Sequence, residues 1–431
     1  MILLTYLCGK YLIFLLGPVT GCWAMLLLPF LLLLPALTAA LPATLHLLSD
    51  ANATHGALCL DGSPPGVYIR DTLPGAPWII AQAGGGWCFN ESDCYARSLT
   101  PLGSSLTWAP TQEGSGLESD DCAANPTFCA FNVALLPYCD GMSQLSSRSD
   151  PILYTNASTG ATTELWARGL NILAAVLDHL LAATSLPLAT AVLLDGCSAG
   201  GHSAYHHLDR VGALLPGADV RAVGDAGFFL DSQIATGSRY SYSPGQFYYR
   251  SLLSYYFAMH NASAGVAPAC LASKPPQAAW QCATSLEALR WSTRPAFALQ
   301  SDYDSYQMGN HFAPPWLPGV DPAWAACTGN ASACWPEQVD YLQAAWVGPF
   351  RGALAVAGVL GPRLTPHGPH GLFLHSCQTH CQVGSAHAIA IGGTTMYQAL
   401  SAWWARDRGP GADYAWVDCL GPACNPTCSA A

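Results

Sequence analysis

The chain has 431 residues, 51% hydrophobic and only 10% charged, with a formal net charge of −11. That balance excludes a disordered chain and leaves no basic run to neutralise the phosphates of a nucleic acid. Thirteen histidines are present, but no H-E-x-x-H or paired C-x-x-C pattern organises them into a metal site.

From the N-terminus, residues 1–49 hold one charged side chain, Lys10, and a leucine-rich run from Met25 to Leu37 closes on Thr38-Ala39-Ala40. Thr38 and Ala40 fit the minus-three and minus-one positions of a signal-peptidase site, so 1–40 reads as a signal peptide. The same segment is long enough to remain as a signal anchor, the one route by which this chain would meet a membrane. Either reading delivers residues 41–431 to the lumenal or extracellular side. Sequons for glycosylation fall at Asn52, Asn90, Asn156, Asn261 and Asn330, whereas proline follows Asn125 and Asn425 and excludes them. Of the 18 cysteines, all but Cys8 and Cys22 lie beyond the leader, an abundance that suits an oxidising compartment. Cys88 with Cys94 and Cys122 with Cys129 bracket short loops and are expected to be bonded. For Cys419, Cys424 and Cys428, export favours disulfides over zinc. A bridge at Cys197 is awkward because the chain turns tightly there, and a free Cys197 would leave a second thiol unpaired.

No internal repeat and no long linker interrupts the remainder. Instead, short β-rich runs end in polar or glycine corners. Trp78–Ala83 enters Gly84-Gly-Gly-Trp87, and Asn132–Tyr138 enters Cys139-Asp-Gly141. Glu164–Ala183 reads as a helix, with Leu165, Trp166, Leu170, Leu173, Leu177, Leu180 and Leu181 near one face at a 3.6-residue period. Ala191–Leu194 climbs into Gly196-Cys-Ser-Ala-Gly200, and a helix-compatible run, Ala204–Leu215, follows. Val220–Val223 leads to Gly224-Asp-Ala-Gly227. From Ser232 to about Trp291 the chain is tyrosine-rich and less periodic, and reads as an insertion or cap. Ala296–Ser301 reaches Asp302-Tyr-Asp-Ser305, and Gly371–Leu374 reaches His375-Ser-Cys-Gln-Thr-His380. Strands alternating with helices predict an α/β fold, a central and mostly parallel sheet flanked by helices, with its ligand outside the carboxyl ends of the strands.

Gly196-Cys197-Ser198-Ala199-Gly200 matches the G-x-S-x-G nucleophile elbow, in which a strained turn between strand and helix exposes the serine Oγ. That geometry exposes the middle residue of the motif and so favours Ser198 over Cys197. A serine hydroxyl needs a base, and the base needs an orienting carboxylate. The acids at later strand ends are Asp225, Asp231, Asp302 and Asp304, and the histidines just past the last strand are His375 and His380. His202, His206 and His207 read as partly exposed histidines on the helix after the elbow. The Gly84–Trp87 corner and Ala199 are natural sources of backbone N–H groups for an oxyanion hole. Neither G-x-G-x-x-G nor a Walker lysine gives those glycines a phosphate-binding role.

The chain resembles the pectin acetylesterase family, which also includes the animal Notum carboxylesterases. The resemblance is carried by Leu60-Asp-Gly-Ser-Pro-Pro65, Gly84-Gly-Gly-Trp-Cys-Phe-Asn90 with Cys94, Tyr138-Cys-Asp-Gly141 and Gly196-Cys-Ser-Ala-Gly-Gly201. It continues through Asp225-Ala-Gly-Phe-Phe-Leu-Asp231, Tyr303-Asp-Ser-Tyr-Gln307 and Ser376-Cys-Gln-Thr-His-Cys-Gln382. The tail Pro422-Ala-Cys-Asn-Pro-Thr-Cys428 is similar to plant members. The family implies an α/β-hydrolase-like secreted serine esterase over 41–431. Its nucleophile would be Ser198, its acid Asp304, its base His380, and its oxyanion donors Gly86, Trp87 and Ala199. An extra cysteine pair within Glu118–Cys129 and a high alanine content depart from most plant members.

The activity implied is hydrolysis of O-acetyl esters on an extracellular polysaccharide, with no metal or organic cofactor. A second reading, also implied by the family, is removal of a fatty acyl group from a secreted protein, which needs a deep apolar pocket near the serine. Phe228, Phe229, Tyr255, Tyr256 and Phe257 could line such a pocket, though core packing explains them as well. A glycan-binding wall protein that lost its activity is a third reading, and the joint presence of nucleophile, acid, base and glycine corner argues against it.

Overall fold

A sheet covered on both faces needs strands that are apolar throughout, which is the character of the runs singled out above. In the computed structural model, residues 41–430 are described except 239–240, 362–363, 366–367, 408–411 and 423. The signal peptide or anchor expected over 1–40 lies outside them. Ten strands form one sheet: β1 (Ala43–Leu47), β2 (Gly66–Arg70), β3 (Trp78–Gln82), β4 (Thr111–Gln112) and β5 (Asn132–Leu136), then β6 (Ala191–Gly196), β7 (Asp219–Asp225), β8 (Ala296–Ser301), β9 (Gly371–His375) and β10 (Tyr414–Val417). Their order is β10-β9-β8-β7-β6-β3-β5-β2-β1-β4. From β5 to β10 every pairing is parallel, while β2, β1 and β4 join antiparallel at one edge. Six of these strands coincide with the predicted runs. The four unpredicted ones include both sheet edges.

The two-residue period of the strands sorts their side chains onto two faces. Ile80, Leu194, Ala222, Ala298 and Leu374 face one core, and Ile79, Leu193, Val223, Leu299 and Phe373 face the other. The helices used below are α1 (Glu91–Ser98), α2 (Gly169–Ala183), α3 (Ala199–Leu214), α4 (Tyr248–Met259), α5 (Gly348–Ala357) and α6 (Met396–Ala405). The first core is closed by Leu173, Leu177 and Leu180 of α2, Leu208 and Val211 of α3, and Phe350 and Leu354 of α5. Leu400 and Trp403 of α6, with Leu117, Phe128 and Phe131, close the second.

The helix predicted from Glu164 begins later, at Gly169. Thr162–Leu165 instead pairs antiparallel with Ile152–Thr155. The start of α2 is set by tertiary contacts: Gly169 N–H donates to Ser146 Oγ at 2.8 Å, and a Cβ at Gly169 would lie 2.1 Å from Asp140 Oδ2. The tyrosine-rich stretch after Ser232 is an insertion between β7 and β8. Its α4 carries Tyr249, Leu253 and Tyr256 into a third apolar cluster with Trp87 and Ala199, which places it beyond the carboxyl ends of the strands.

All sixteen cysteines from Cys59 onward are bonded: Cys59–Cys139, Cys88–Cys94, Cys122–Cys129, Cys197–Cys381, Cys270–Cys282, Cys327–Cys334, Cys377–Cys428 and Cys419–Cys424. The two short-loop pairs are as expected. Cys197 is the correction. The elbow accepts a bridge because its partner, Cys381, comes from a loop 184 residues away and not from the tight turn itself. Such cysteine usage fits an oxidising compartment. No helix among the described residues is long and apolar enough to cross a membrane.

Candidate active site

Ser198 stands between β6 and α3 with φ 58° and ψ −123°, a backbone conformation that non-glycine residues rarely adopt. Its neighbours must be small. A Cβ at Gly200 would lie 1.9 Å from Gln82 O, one at Gly196 2.4 Å from the Gly200 carbonyl carbon, and one at Gly84 2.5 Å from Cys197 O. Ser198 N–H donates to Asp225 O at 2.8 Å, which ties the turn to the end of β7. Ser198 itself is 8% exposed.

The glycine corner lies directly beside this turn. The N–H groups of Gly86, Trp87 and Ala199 have no partner among the described residues. Their aim follows from what holds the carbonyls, since C=O and N–H point oppositely across a trans peptide. Arg97 on α1 donates to Gly85 O at 2.7 Å and to Trp87 O at 3.0 Å. Tyr138 O–H donates to Gly86 O at 2.6 Å. Anchoring Gly85 O and Gly86 O on one side turns the N–H of Gly86 and of Trp87 to the other. Ser198 O accepts His202 N–H at 2.9 Å within α3, which points Ala199 N–H back toward the helix start, where the dipole favours negative charge. The Trp87 indole donates to Ser143 Oγ at 2.8 Å, and Ser143 O–H donates to Ala199 O at 2.7 Å. Ser143 and Gln144 both have positive φ, 51° and 55°. Cys88–Cys94 closes the corner from behind, with Cys88 N–H on Gly141 O at 3.0 Å. Sequence reasoning found the glycines and the disulfide but missed Arg97, Tyr138 and Ser143, whose role depends on contacts 10, 52 and 56 residues away.

His380 Nδ1–H donates to Asp304 Oδ2 at 2.8 Å. Asp304 is fully buried at the end of β8, and its other oxygen accepts Gln307 N–H at 2.9 Å. His380 keeps 18% of its side chain exposed and stacks on the Tyr306 ring at 5.2 Å. Burial pulls the imidazole down, but the Asp304 hydrogen bond and the charges of Asp304 and Asp225 outweigh it. The net position is above the ordinary histidine value. The loop carrying His380 is bonded to the elbow through Cys197–Cys381, so the residues adjoining Ser198 and His380 are joined covalently.

The rival residues are committed elsewhere. His375 is fully buried, accepts Cys377 N–H at Nδ1, and is pushed by burial to about 4. Asp302 is paired with Arg351, and Asp231 lies 2.8 Å from Arg250. Asp225 accepts the backbone N–H groups of Gln382 and Val383. His202 and His207 correct the expectation of partial exposure. Both are buried because α3 is covered by the sheet and by the insertion, and burial lowers them to about 4 and about 3. His206 is half-buried. Phe228, Phe229, Tyr256 and Phe257 are buried in packed clusters, whereas Tyr255 is 50% exposed. Asn52, Asn90, Asn261 and Asn330 are exposed and Asn156 is half-buried. The grouping of metal-type side chains among the described residues is Cys88, Cys94 and His260, and its two thiols are consumed in a disulfide.

The sequence profile of the pectinacetylesterase family matches residues 37–429. Pectin acetylesterase 7 of Arabidopsis thaliana is 32% identical over 96% of this chain and 98% of its own length. Palmitoleoyl-protein carboxylesterase Notum of Mus musculus is 34% identical over 198 residues, 44% of this chain and 36% of its own. The solved structure of the Wnt deacylase Notum from Drosophila has the same fold, with a TM-score of 0.70 at 24% identity over 90% of this chain and 100% of that one. A profile match across nearly the whole chain, with a relative aligned at this identity over the same length, means that the chain belongs to the pectinacetylesterase family and is a carboxylic ester hydrolase.

Proposed function

We propose that this protein is secreted and removes O-acetyl groups from an extracellular, pectin-like polysaccharide through an acyl-enzyme. Ser198 Oγ attacks the acetyl carbonyl while His380 takes its proton, and Asp304 holds the imidazole in the tautomer that leaves Nε2 free to do so. The oxyanion that forms is met by the N–H groups of Gly86, Trp87 and Ala199, already oriented before substrate arrives. His380 returns the proton to the departing sugar hydroxyl. Water, activated by the same imidazole, then releases acetate and regenerates Ser198. The carrying observation is the His380–Asp304 pair on a loop bonded to the Ser198 turn, beside three N–H groups that have no partner among the described residues. Eight disulfides and the apolar leader support export.

A short acyl group is supported by the rings beside the serine. Trp87 packs on Phe229 at 4.6 Å, on Tyr249 at 6.1 Å and on Tyr256 at 6.2 Å, in the cluster that contains Ala199. A long acyl chain would have to displace them. The test is acetate release by purified protein from acetylated pectin, xylan and mannan, run beside p-nitrophenyl esters of two to sixteen carbons. Acetate from a glycan with activity falling steeply along the ester series is the expected result. Cleavage of long-chain esters with no acetate from any glycan would favour deacylation of a lipidated protein.

A further inference from the structure

The loop that carries His380 leaves β9 at His375 and runs to Gln382 without regular structure. Its first half is held away from the nucleophile: Cys377 is bonded to Cys428, and Ser301 O–H donates to Cys377 O at 2.5 Å. Only after His380 does the loop meet the elbow, and there two ties occur in three residues. Cys381, with φ 64°, is bonded to Cys197. Gln382 and Val383 then donate their backbone N–H groups to one atom, Asp225 Oδ2, at 2.5 and 2.8 Å.

Asp225 is also the residue that holds the nucleophile. Its carbonyl accepts Ser198 N–H at 2.8 Å, and it forms an isolated parallel bridge with Cys197. One buried residue therefore grips the serine through its backbone and the loop after the histidine through its side chain. Resting on the reading of Ser198 and His380 given above, we infer that Asp225, together with the Cys197–Cys381 bond, is a positioning residue that sets the base against the nucleophile. It is not the triad acid, because its carboxylate faces the loop backbone and Asp304 occupies the His380 nitrogen. The consequence belongs to turnover rather than to affinity. A misplacement of about 1 Å between reacting groups lowers turnover by about 10²-fold, while the surfaces that bind the sugar are left alone.

The chemistry of the site separates a carboxylate that positions from one that acts by its charge. Asp225 Oδ1 has no partner among the described residues. Asp225 lines a cavity of about 270 Å³ with Glu118, Asp195, Cys197 and Cys381. In Asp225→Asn the amide oxygen can take over the two N–H bonds, and the amide NH₂ finds carboxyl oxygens and space on the cavity side. In Asp225→Ala both N–H groups lose their acceptor.

Acetate release from acetylated pectin, with each variant shown to be folded by circular dichroism and thermal melting, reads the outcome for Asp225→Ala, Asp225→Asn, the double variant Cys197→Ser/Cys381→Ser, and Ser198→Ala. Expected are a fall in kcat of about 10²-fold for Asp225→Ala with KM changed less than about threefold, and recovery to within about tenfold of wild type in Asp225→Asn. The double cysteine variant should show the same split and carries the test if Asp225→Ala yields no folded protein. Wild-type kcat in Asp225→Ala, or in the double variant where Asp225→Ala does not fold, overturns the inference, as does an Asp225→Asn as impaired as Asp225→Ala. Acetate release surviving in Ser198→Ala would instead overturn the reading of the reaction on which the inference rests.

Discussion

Asp304→Asn alters one buried polar atom and isolates what the carboxylate does for His380. In the native site Oδ1 accepts Gln307 N–H at 2.9 Å and Oδ2 accepts His380 Nδ1–H at 2.8 Å. Gln300 Nε2 donates to Oδ2 as well, at 3.4 Å, and an amide has only one acceptor to meet these donors. If its oxygen stays on Gln307, its NH₂ meets Nδ1, the imidazole proton moves to Nε2, and Nε2 can no longer take the proton of Ser198. If the amide turns over, His380 keeps its acceptor but the NH₂ faces Gln307 N–H in a fully buried position, at a cost of about 1–3 kcal/mol. Loss of the negative charge beside the imidazolium removes a charge-assisted hydrogen bond worth a further ~1.5–3 kcal/mol. At 1.36 kcal/mol per decade the two together lower kcat by about 10² to 10⁴-fold. The pH profile gives a second readout. The base must be neutral, so activity rises with pH through the His380 pKa, which lies above the ordinary ~6.5 in the native enzyme. Removing the Asp304 charge leaves burial, the largest influence and a downward one, opposed by the charge of Asp225, so the acid limb should move to lower pH. The assay is kcat for acetate release from about pH 5 to 9, with circular dichroism to establish that the variant is folded. A kcat within tenfold of wild type, or an acid limb that does not move, would refute the reasoning.

His380→Ala should lower kcat by about 10³-fold or more, whereas His375→Ala should lower Tm and leave kcat per folded molecule within a few-fold, because His375 is fully buried and bonded to the loop backbone. The reverse pattern in the same acetate assay would move the base to His375. Tyr138→Phe removes the O–H that anchors Gly86 O, so the Trp87 N–H loses its fixed aim. A net hydrogen bond of about 0.5–1.5 kcal/mol corresponds to a fall in kcat of roughly two- to twelvefold with little change in KM. An effect on KM alone would show that the corner binds substrate and does not stabilise developing charge.

Much of the site was readable from local sequence because its strongest requirements are local. A serine at positive φ needs small neighbours within two residues, and Gly196, Ala199 and Gly200 supply them. Runs such as Ile79-Ile80 and Val192-Leu193-Leu194 announce strands buried on both faces, whatever lies beside them. The 3.6-residue period of Leu173, Leu177 and Leu180 announces α2, but not its first residue. That start depends on Ser146 and Asp140, which the periodicity cannot see.

The choice among acids and histidines was a different kind of question. Asp225, Asp302 and Asp304 are all short polar residues at strand ends, and His375 and His380 lie five positions apart on one loop. Family resemblance distinguished them, and spacing did not. In the folded protein they differ by partner: Arg351 for Asp302, the Gln382 and Val383 backbone for Asp225, His380 for Asp304. Those partners are decided by the strand order β8-β7-β6-β3, which brings residues 82, 196, 225 and 301 to neighbouring strand ends. The same order makes Cys197 and Cys381 neighbours, although the tight turn alone argued against any bridge there. Sequence determined the conformations and burial that each segment requires by its own sterics and apolar period. Tertiary structure decided every pairing that spans tens of residues, because a hydrogen bond, an ion pair or a disulfide depends on which strand ends the sheet places side by side.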